Sequence, residues 1–439
     1  MFLLFASLFF YAWGEPKYVL LMLVSIFINW GCGLLLQDAG RLHLHKRGVL
    51  WTGIVLNLLL LGYFKYLGLF VRSVNHLLRG EALTVPEIAL PIGISFFTFQ
   101  ALSYVIDVYR DECEVQKNLF SLALYISFFP QLIAGPIVKY RDVNAQIAKR
   151  QITCGKVMEG IRRFIYGLAK KVLISNVLAQ SADAIYALDM AEITGGLAWM
   201  AALLYTFQIY YDFSGYSDMA IGLGKMFGFD FRENFDYPYL SLSVREFWRR
   251  WHISLSTWFR EYVYIPLGGN RKGTVRTYVN LGIVFFLTGI WHGAGYNFIF
   301  WGLYHGAFSV LERLGLGKLL DRHKITGFIY TFLAVHCGWI LFRIESMRQI
   351  LEFGKRILLP WRYRISHYRI PEFVTGHTVF VLAVAVVGMG VMQKALCGTK
   401  LCAKWKNSIP EMLYCMLLLL LCIAALAANT YNPFIYFRF

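Results

Sequence analysis

Charge is scarce in this sequence. Only 16% of its 439 residues are Asp, Glu, Lys or Arg, against about 25% in an ordinary soluble protein. Acids are the scarcer sign, 26 against 43 basic residues. A water-soluble globular domain is excluded on that balance. The eight cysteines (Cys32, Cys113, Cys154, Cys337, Cys397, Cys402, Cys415 and Cys422) make no CxxC pair. Several lie in apolar runs, where a thiol behaves as a small hydrophobe, so neither a disulfide framework nor a zinc site is supported and no metal is expected. Internal repeats and low-complexity linkers are missing, which argues for one domain over residues 1–439. There is no GxSxG, HExxH or P-loop, so hydrolase, zinc-protease and nucleoside-triphosphatase chemistry have no warrant. The N-terminus lacks a basic region and a small-residue cleavage site, so no cleavable signal peptide is expected.

Hydrophobic residues make up 58% of the chain and aromatic residues 17%. Many windows reach the roughly 20 apolar residues needed to cross a hydrocarbon core. The formal net charge is +17, and the basic residues fall in short loops between apolar runs. That is the positive-inside pattern, and anionic lipid attracts the same loops; nucleic acid is not an expected partner. The expected fold is all-α, a polytopic integral membrane protein with roughly ten to twelve spanning, re-entrant and interfacial helices.

Clear spans are expected over 18–36, 49–70, 197–211, 329–342, 379–392 and 412–428. Residues 1–13 form a partial span. The stretch 90–109 enters through Pro91 and Gly93 and ends near Asp107. Residues 119–136 are interrupted by Pro130 and Pro136. The basic segment 158–178 has helical spacing with charges between apolar positions, so it is expected to lie along the membrane surface. Glycine-rich 212–231 reads as a kinked or re-entrant element. Ser243–Tyr264 reads as one aromatic interfacial helix opened by a capping box, Ser243 with Glu246 three residues on. The basic loop 343–372 is expected to hide an in-plane helix.

Two stretches carry the polar residues that matter. The first is LGIVFFLTGIWHGAGYNFIFWGLYHG, Leu281–Gly306. Basic residues flank it on both sides, which predicts a helical hairpin with residues 291–296 at its turn. His292 would then lie deep in the membrane, where an ionisable residue is a functional candidate by default. It has no acidic neighbour in sequence to hold it as a cation. A neutral imidazole can take a proton from a hydroxyl, while Gly293 and Gly295 would let a substrate approach the backbone. A structural histidine bonded across helices fits the position equally well. His305, thirteen residues on, would sit far from His292 on a continuous helix and reads as structural. The second stretch, SVREFWRRWHISLSTWFREYVYIPLGG, Ser243–Gly269, holds His252, either an interfacial anchor or a polar lining of a substrate channel. Asp212, Ser214 and Asp218 are polar in apolar surroundings but match no triad spacing.

Together these stretches resemble the membrane-bound O-acyltransferase (MBOAT) family, in its bacterial alginate O-acetyltransferase branch. The resemblance rests on EFWRRWHISLSTWFREYVYIPLGGN (Glu246–Asn270), LTGIWHGAGYNFIFWGLYHG (Leu287–Gly306), YDFSGYSDMAIGLGKMFGF (Tyr211–Phe229), ISFFPQLIAGPI (Ile126–Ile137) and terminal NPFIYFRF (Asn432–Phe439), with a motif core over 205–310. It implies acyl transfer onto a hydroxyl. The acetyl group is expected to come from acetyl-CoA on the cytoplasmic side and to end on an exported, alginate-like cell-envelope or extracellular polysaccharide, with no bound cofactor. The family's WHG histidine falls on His292 and its RWH histidine on His252, which makes both catalytic candidates. Trp248, Arg249, Trp251, Trp291 and Asn297 are the substrate-binding candidates. The resemblance also implies the bacterial inner membrane and a periplasmic or membrane-anchored acetyltransferase partner. In relatives FLLFASLFFYAW follows an earlier apolar helix, so a first span is expected to be absent here. The alternatives are D-alanyl transfer to teichoic acid from a carrier protein, favoured less by the LGGN and FIYF segments, and a transporter or flippase with His292 as proton relay.

Overall fold

The apolar runs fold as helices, and no strand occurs among the described residues of this computed structural model. Those residues are 1–80, 82–133, 135–392, 405, 407–428 and 434–435. Cys397, Cys402 and all of the terminal NPFIYFRF segment except Phe434 and Ile435 lie outside them. In chain order the helices are α1 (Phe2–Gly14), α2 (Val19–Asp38), α3 (Lys46–Leu61), α4 (Leu67–Leu77), α5 (Ile94–Tyr109), α6 (Leu119–Ser127), α7 (Phe129–Leu132), α8 (Tyr140–Ala148), α9 (Cys154–Ala169), α10 (Asn176–Tyr186) and α11 (Gly195–Met226). Then follow α12 (Val244–Arg250), α13 (Ile253–Phe259), α14 (Thr274–His292), α15 (Tyr296–Leu311), α16 (Gly317–Arg322), α17 (Lys324–Arg343), α18 (Met347–Leu358), α19 (Ile370–Phe373), α20 (Gly376–Gly388) and α21 (Ile409–Ala428). Among the described residues five helical stretches are long and apolar enough to cross a membrane: Val19–Asp38, Lys46–Leu77, Thr274–His292, Lys324–Arg343 and Ile409–Ala428. On α21 the side chains of Leu413, Leu417, Leu420 and Leu421 are exposed. Such an apolar surface is stable against lipid and not against water. The protein is an all-α, multi-pass membrane protein.

The chain divides into two compact units, residues 1–161 with 220–232, and residues 162–219 with 233–439. In the first, α2, α3 and α5 pack around small residues and one polar pair. Gly33 faces Tyr104, and a Cβ on Gly53 would stand 3.2 Å from the Cys32 sulfur. Asn29 and Asn57 exchange amide hydrogen bonds at 3.1 and 2.8 Å, both fully buried. Each side chain thereby satisfies the other where water cannot. Pro91 and Gly93 set the entry to α5 as expected, with Gly93 at φ 76°. The proline-interrupted segment breaks at Phe128 between α6 and α7.

The second unit holds both histidine stretches. Its core gathers aromatic side chains of α11, α12, α15, α17 and α18, among them Phe207, Phe213, Phe247, Trp251, Trp301, Trp339 and Phe353. Residues of the basic 158–178 segment are neutralised here. Lys171 meets Asp212 at 2.5 Å, and Arg163 and Lys170 bind Asp218 at 2.8 and 2.6 Å. Asp212 and Asp218 are thus accounted for as ion-pair partners.

Two expectations are corrected. Residues 212–226 are neither kinked nor re-entrant but part of one helix, α11. The glycines there serve close packing: a Cβ on Gly215 would stand 2.8 Å from the Gly167 carbonyl, and one on Gly224 2.7 Å from the Phe231 ring. Small residues at helix contacts let backbones approach without bending either helix. Nor is Ser243–Tyr264 one helix, since it breaks at Trp251–His252. The basic loop 343–372 does contain a helix, α18, which buries Ile350, Phe353 and Ile357.

Candidate active site

The site begins with a hairpin. α14 ends at His292, residues 293–295 turn, and α15 runs back. The order of contacts gives the antiparallel pairing, Phe285 against Gly302 and Gly306, Gly289 against Phe298 and Gly302. Glycines on both helices bring the backbones together, so the chain returns on itself within one short turn. The space beside Gly293 is filled by the Phe298 ring and that beside Gly295 by the Asn297 carbonyl oxygen. These glycines therefore admit protein side chains, where sequence reasoning expected a substrate.

The second stretch reaches the hairpin because α12 stops early. Ser243 caps α12, its Oγ accepting from Glu246 N at 3.1 Å. The Glu246 carboxylate reaches back to Leu242 N at 2.8 Å, one residue before the reciprocal bond of a capping box. A second carboxylate does more: Glu312, wholly buried, accepts from Val244 N at 2.6 Å, Arg245 N at 3.1 Å and Arg245 Nε at 3.2 Å. After Arg250 the backbone extends through Trp251 and turns left-handed at His252, φ 44° and ψ 55°, before α13. A non-glycine residue in that region is held by its surroundings. Here Asn234 does the holding. Its carbonyl oxygen accepts from His252 Nδ1 at 3.2 Å, Ser254 N at 3.1 Å and Ser254 Oγ at 2.9 Å. Ile253 N also donates to the Asn234 backbone carbonyl at 3.0 Å. With Nδ1–H donating, the acceptor nitrogen of His252 is Nε2.

Both histidines are buried, and one indole touches both. The Trp291 ring centroid is 5.9 Å from that of His252 and 4.9 Å from that of His292. Around this trio stand Phe213 at 4.6 Å from His252, and Trp301 and Phe342 at 5.0 and 5.3 Å from His292. The interfacial-anchor reading of His252 is therefore corrected: its ring is 1% exposed and faces the protein interior. His305 is also in the cluster, its ring 5.3 Å from Trp301 and 5.0 Å from Trp248. The continuous helix that would have separated it from His292 does not exist.

α12 runs beside α15 like the rail of a ladder. Arg245 pairs with Glu312, Trp248 packs on His305 and Trp301, and past its end His252 meets Trp291. At the Arg245 end lies a cavity of about 470 Å³. Its lining includes Arg245, Asn270, Thr274, Arg313 and Lys318, with Glu312 and Asp321.

Of the seven residues expected from sequence, Trp248, Trp251, Trp291, His252 and His292 come together in this aromatic cluster. Arg249 is exposed. Asn297 is buried at the start of α15 and donates to the Leu341 carbonyl of α17 at 3.4 Å, a pin between helices. Sequence reasoning missed Asn234, Glu312 and Trp301. Glu312 lies 68 positions from Val244, and Asn234 reaches His252 across an 18-residue separation through a loop that periodicity does not place. Among the described residues no group of three or more His, Cys, Asp or Glu converges on a possible metal position.

Comparison with known proteins gives this geometry a family. The model of the MBOAT, membrane-bound O-acyltransferase family, matches residues 50–342, which include both histidine stretches. A protein of Pseudomonas putida named "Probable alginate O-acetylase AlgI" is 40% identical over 458 residues, covering 100% of this chain and 94% of that one. Its namesake in Pseudomonas aeruginosa is 46% identical over 350 residues, 79% of this chain and 67% of the other. A "Peptidoglycan O-acetyltransferase" of Helicobacter pylori is 38% identical over 387 residues, 81% and 73% respectively. The chain belongs to the membrane-bound O-acyltransferase family and is an O-acyltransferase.

Proposed function

We propose that this enzyme moves an acetyl group from cytoplasmic acetyl-CoA toward hydroxyls of an exported polysaccharide, with His292 as general base. The observation that carries the proposal is the contact of both His252 and His292 with the one Trp291 ring, in a buried aromatic enclosure at a helix break. The names of the relatives support a glycan acceptor, since those proteins are called acetylases of alginate or of peptidoglycan.

The chemistry follows from a neutral imidazole. A nitrogen of His292 takes the proton of the acceptor hydroxyl as its oxygen attacks the thioester carbonyl carbon. The tetrahedral intermediate then collapses, the carbon–sulfur bond breaks, and the thiolate leaves with the proton from the imidazolium. An ester and a free thiol result, and the histidine returns to its starting state. The surrounding rings keep water from competing as acceptor. His252, with Nδ1–H bound to Asn234, offers Nε2 as an acceptor. It therefore positions an N–H or O–H of a substrate and does not polarise a carbonyl. The polar cavity at the other end of α12 offers Arg313, Lys318 and the start of α14 to the donor's phosphates. Its basic loops are assigned to the cytoplasm of a bacterial inner membrane, and a periplasmic acetyltransferase is the assigned partner that finishes delivery.

The test is acetyl transfer from radiolabelled acetyl-CoA in membranes containing wild type or His292→Ala at equal expression. Label reaching an envelope glycan only with wild type supports the proposal. Equal labelling with both would return His292 to a structural role.

A further inference from the structure

A cation stands behind the asparagine that holds His252. Asn234 belongs to a short strap, residues 233–236, each of which meets a different neighbour. Both oxygens of the Glu233 carboxylate accept from the Arg163 guanidinium, Oε1 from Nη1 at 2.5 Å and Oε2 from Nη2. Asn234 is wholly buried and binds His252 and Ser254. The Phe235 ring lies 4.9 Å from Phe213 and 5.0 Å from Trp251, centroid to centroid. Asp236 N donates to the Arg250 carbonyl at 2.9 Å, and Arg250 Nη1 donates to the Asp236 carboxylate at 3.1 Å. The strap therefore runs beside the left-handed turn at His252 and is bonded to it on both sides.

Arg163, on α9, grips a second carboxylate as well. Its Nε and Nη2 donate to Asp218 Oδ1 at 3.0 and 2.8 Å. Asp218 follows Phe213 on α11 by five residues, about 7.5 Å. The Phe213 ring meets His252 edge to face at 4.6 Å. One guanidinium thus joins the two elements that give His252 its hydrogen-bond acceptor and its aromatic wall. A planar fork of five donors suits that task, whereas a lysine ammonium is a point charge without the fork.

Removing the guanidinium would do more than delete two bonds. Nη2 binds both carboxylates, so Glu233 and Asp218 are close neighbours. Without the cation between them they repel. Asp218 keeps Lys170, which donates to its other oxygen at 2.6 Å. Glu233 is the partner left to move, and the next residue is Asn234. A left-handed histidine persists only while its surroundings hold it. Arg162, the preceding residue of α9, pairs instead with Glu411 of α21 at 2.9 Å.

We propose that Arg163 is a positioning residue of the acyl-transfer site. By clamping Glu233 to Asp218 it sets Asn234, and through Asn234 the direction in which His252 presents Nε2. This rests on the part given to His252 above.

The test is turnover of acetyl-CoA by the purified full chain with an acceptor glycan present, as kcat and KM, beside the thermal midpoint of each variant. Arg163→Gln should lower kcat about tenfold, as a displacement smaller than an ångström would, with KM for acetyl-CoA unchanged. In an Asn234→Ala background the same substitution should change kcat less than about twofold, because its route to His252 is already cut. Arg162→Gln loses an ion pair from the same helix and should keep the wild-type kcat. Full multiplication of the Arg163→Gln and Asn234→Ala losses, or an equal loss with Arg162→Gln, would show a general loosening of α9 and overturn the proposal. A wild-type kcat for Arg163→Gln also overturns it, while a loss with His252→Ala leaves the part of His252 standing. If His252→Ala itself turns over like wild type, that part falls and this inference with it.

Discussion

Replacing Glu312 by Gln should loosen α12 far more than removing its ionic partner does. The Glu312 side chain is fully buried, while that of Arg245 is 34% exposed. The carboxylate accepts two backbone N–H groups at the start of α12 and the Arg245 guanidinium. Hydrogen bonds to a charged group contribute about 1.5–3 kcal/mol, and a negative charge at a helix N-terminus adds up to about 1 kcal/mol. Gln keeps one acceptor oxygen, loses the charge and turns an NH2 toward existing donors. Glu312→Gln should therefore cost about 3 kcal/mol. Arg245→Met leaves the two backbone bonds in place and removes a solvent-screened pair, at about 1 kcal/mol. Thermal midpoints in detergent for both single variants and the double variant would measure this, read beside acetyl transfer, because α12 carries Trp248 and positions His252. Equal costs for the two single variants, or an unchanged midpoint with Glu312→Gln, would refute the idea that this carboxylate anchors the helix.

Other outcomes follow from the same contacts. Asn234→Ala removes the acceptor shared by His252 and Ser254, so turnover should fall about 100-fold, as a catalytic group displaced by an ångström would cause, with coenzyme A binding preserved; unchanged turnover would remove Asn234 from the site. On α14, Gly289→Ala forces a Cβ onto the Phe298 carbonyl and should destabilise by about 1–3 kcal/mol. Gly282→Ala on the same helix meets nothing within 4 Å and should be neutral or stabilising by up to about 1 kcal/mol; similar midpoints for the two would contradict the close hairpin. Outside the spans, bonds from His367 N, then from the His367 ring and Ser366, push the Glu192 carboxyl down to about 2 from its ordinary 4.5. A depressed carboxyl stabilises above its unfolded pKa, so the 366–367 segment should stay anchored down to about pH 4.5 and become sensitive to acid-active protease as pH falls toward 2. Glu192→Gln should remove that pH dependence; an unchanged cleavage profile would sink the assignment.

The spans expected at 18–36, 49–70, 329–342 and 412–428 and the hairpin were legible because hydropathy and small-residue breaks are local signals. Those expected at 197–211 and 379–392 fall in α11 and α20, neither of which is among the helices long and apolar enough to cross. The turn at residues 293–295 and the broken segment at Phe128 stand where Gly and Pro placed them. Glycines inside α11 were misread, because a glycine that lets another helix approach looks the same in sequence as one that bends its own. His252 looked interfacial among Trp248, Trp251 and Arg250, since periodicity cannot show a left-handed residue pinned by Asn234 eighteen positions earlier. His305 looked remote because its distance was measured along a helix that turns back. The motif resemblance located His292 and His252, but the ring of Trp301 joining His292 to His305 is a tertiary fact.

The most direct measurement is single-turnover release of coenzyme A from acetyl-CoA by purified protein with an acceptor glycan present, wild type against His292→Ala, with coenzyme A affinity determined on both. Loss of the base should slow release by about 10²–10⁴-fold, the usual contribution of general base catalysis, with affinity unchanged. Release by His292→Ala within a few-fold of wild type would contradict the account.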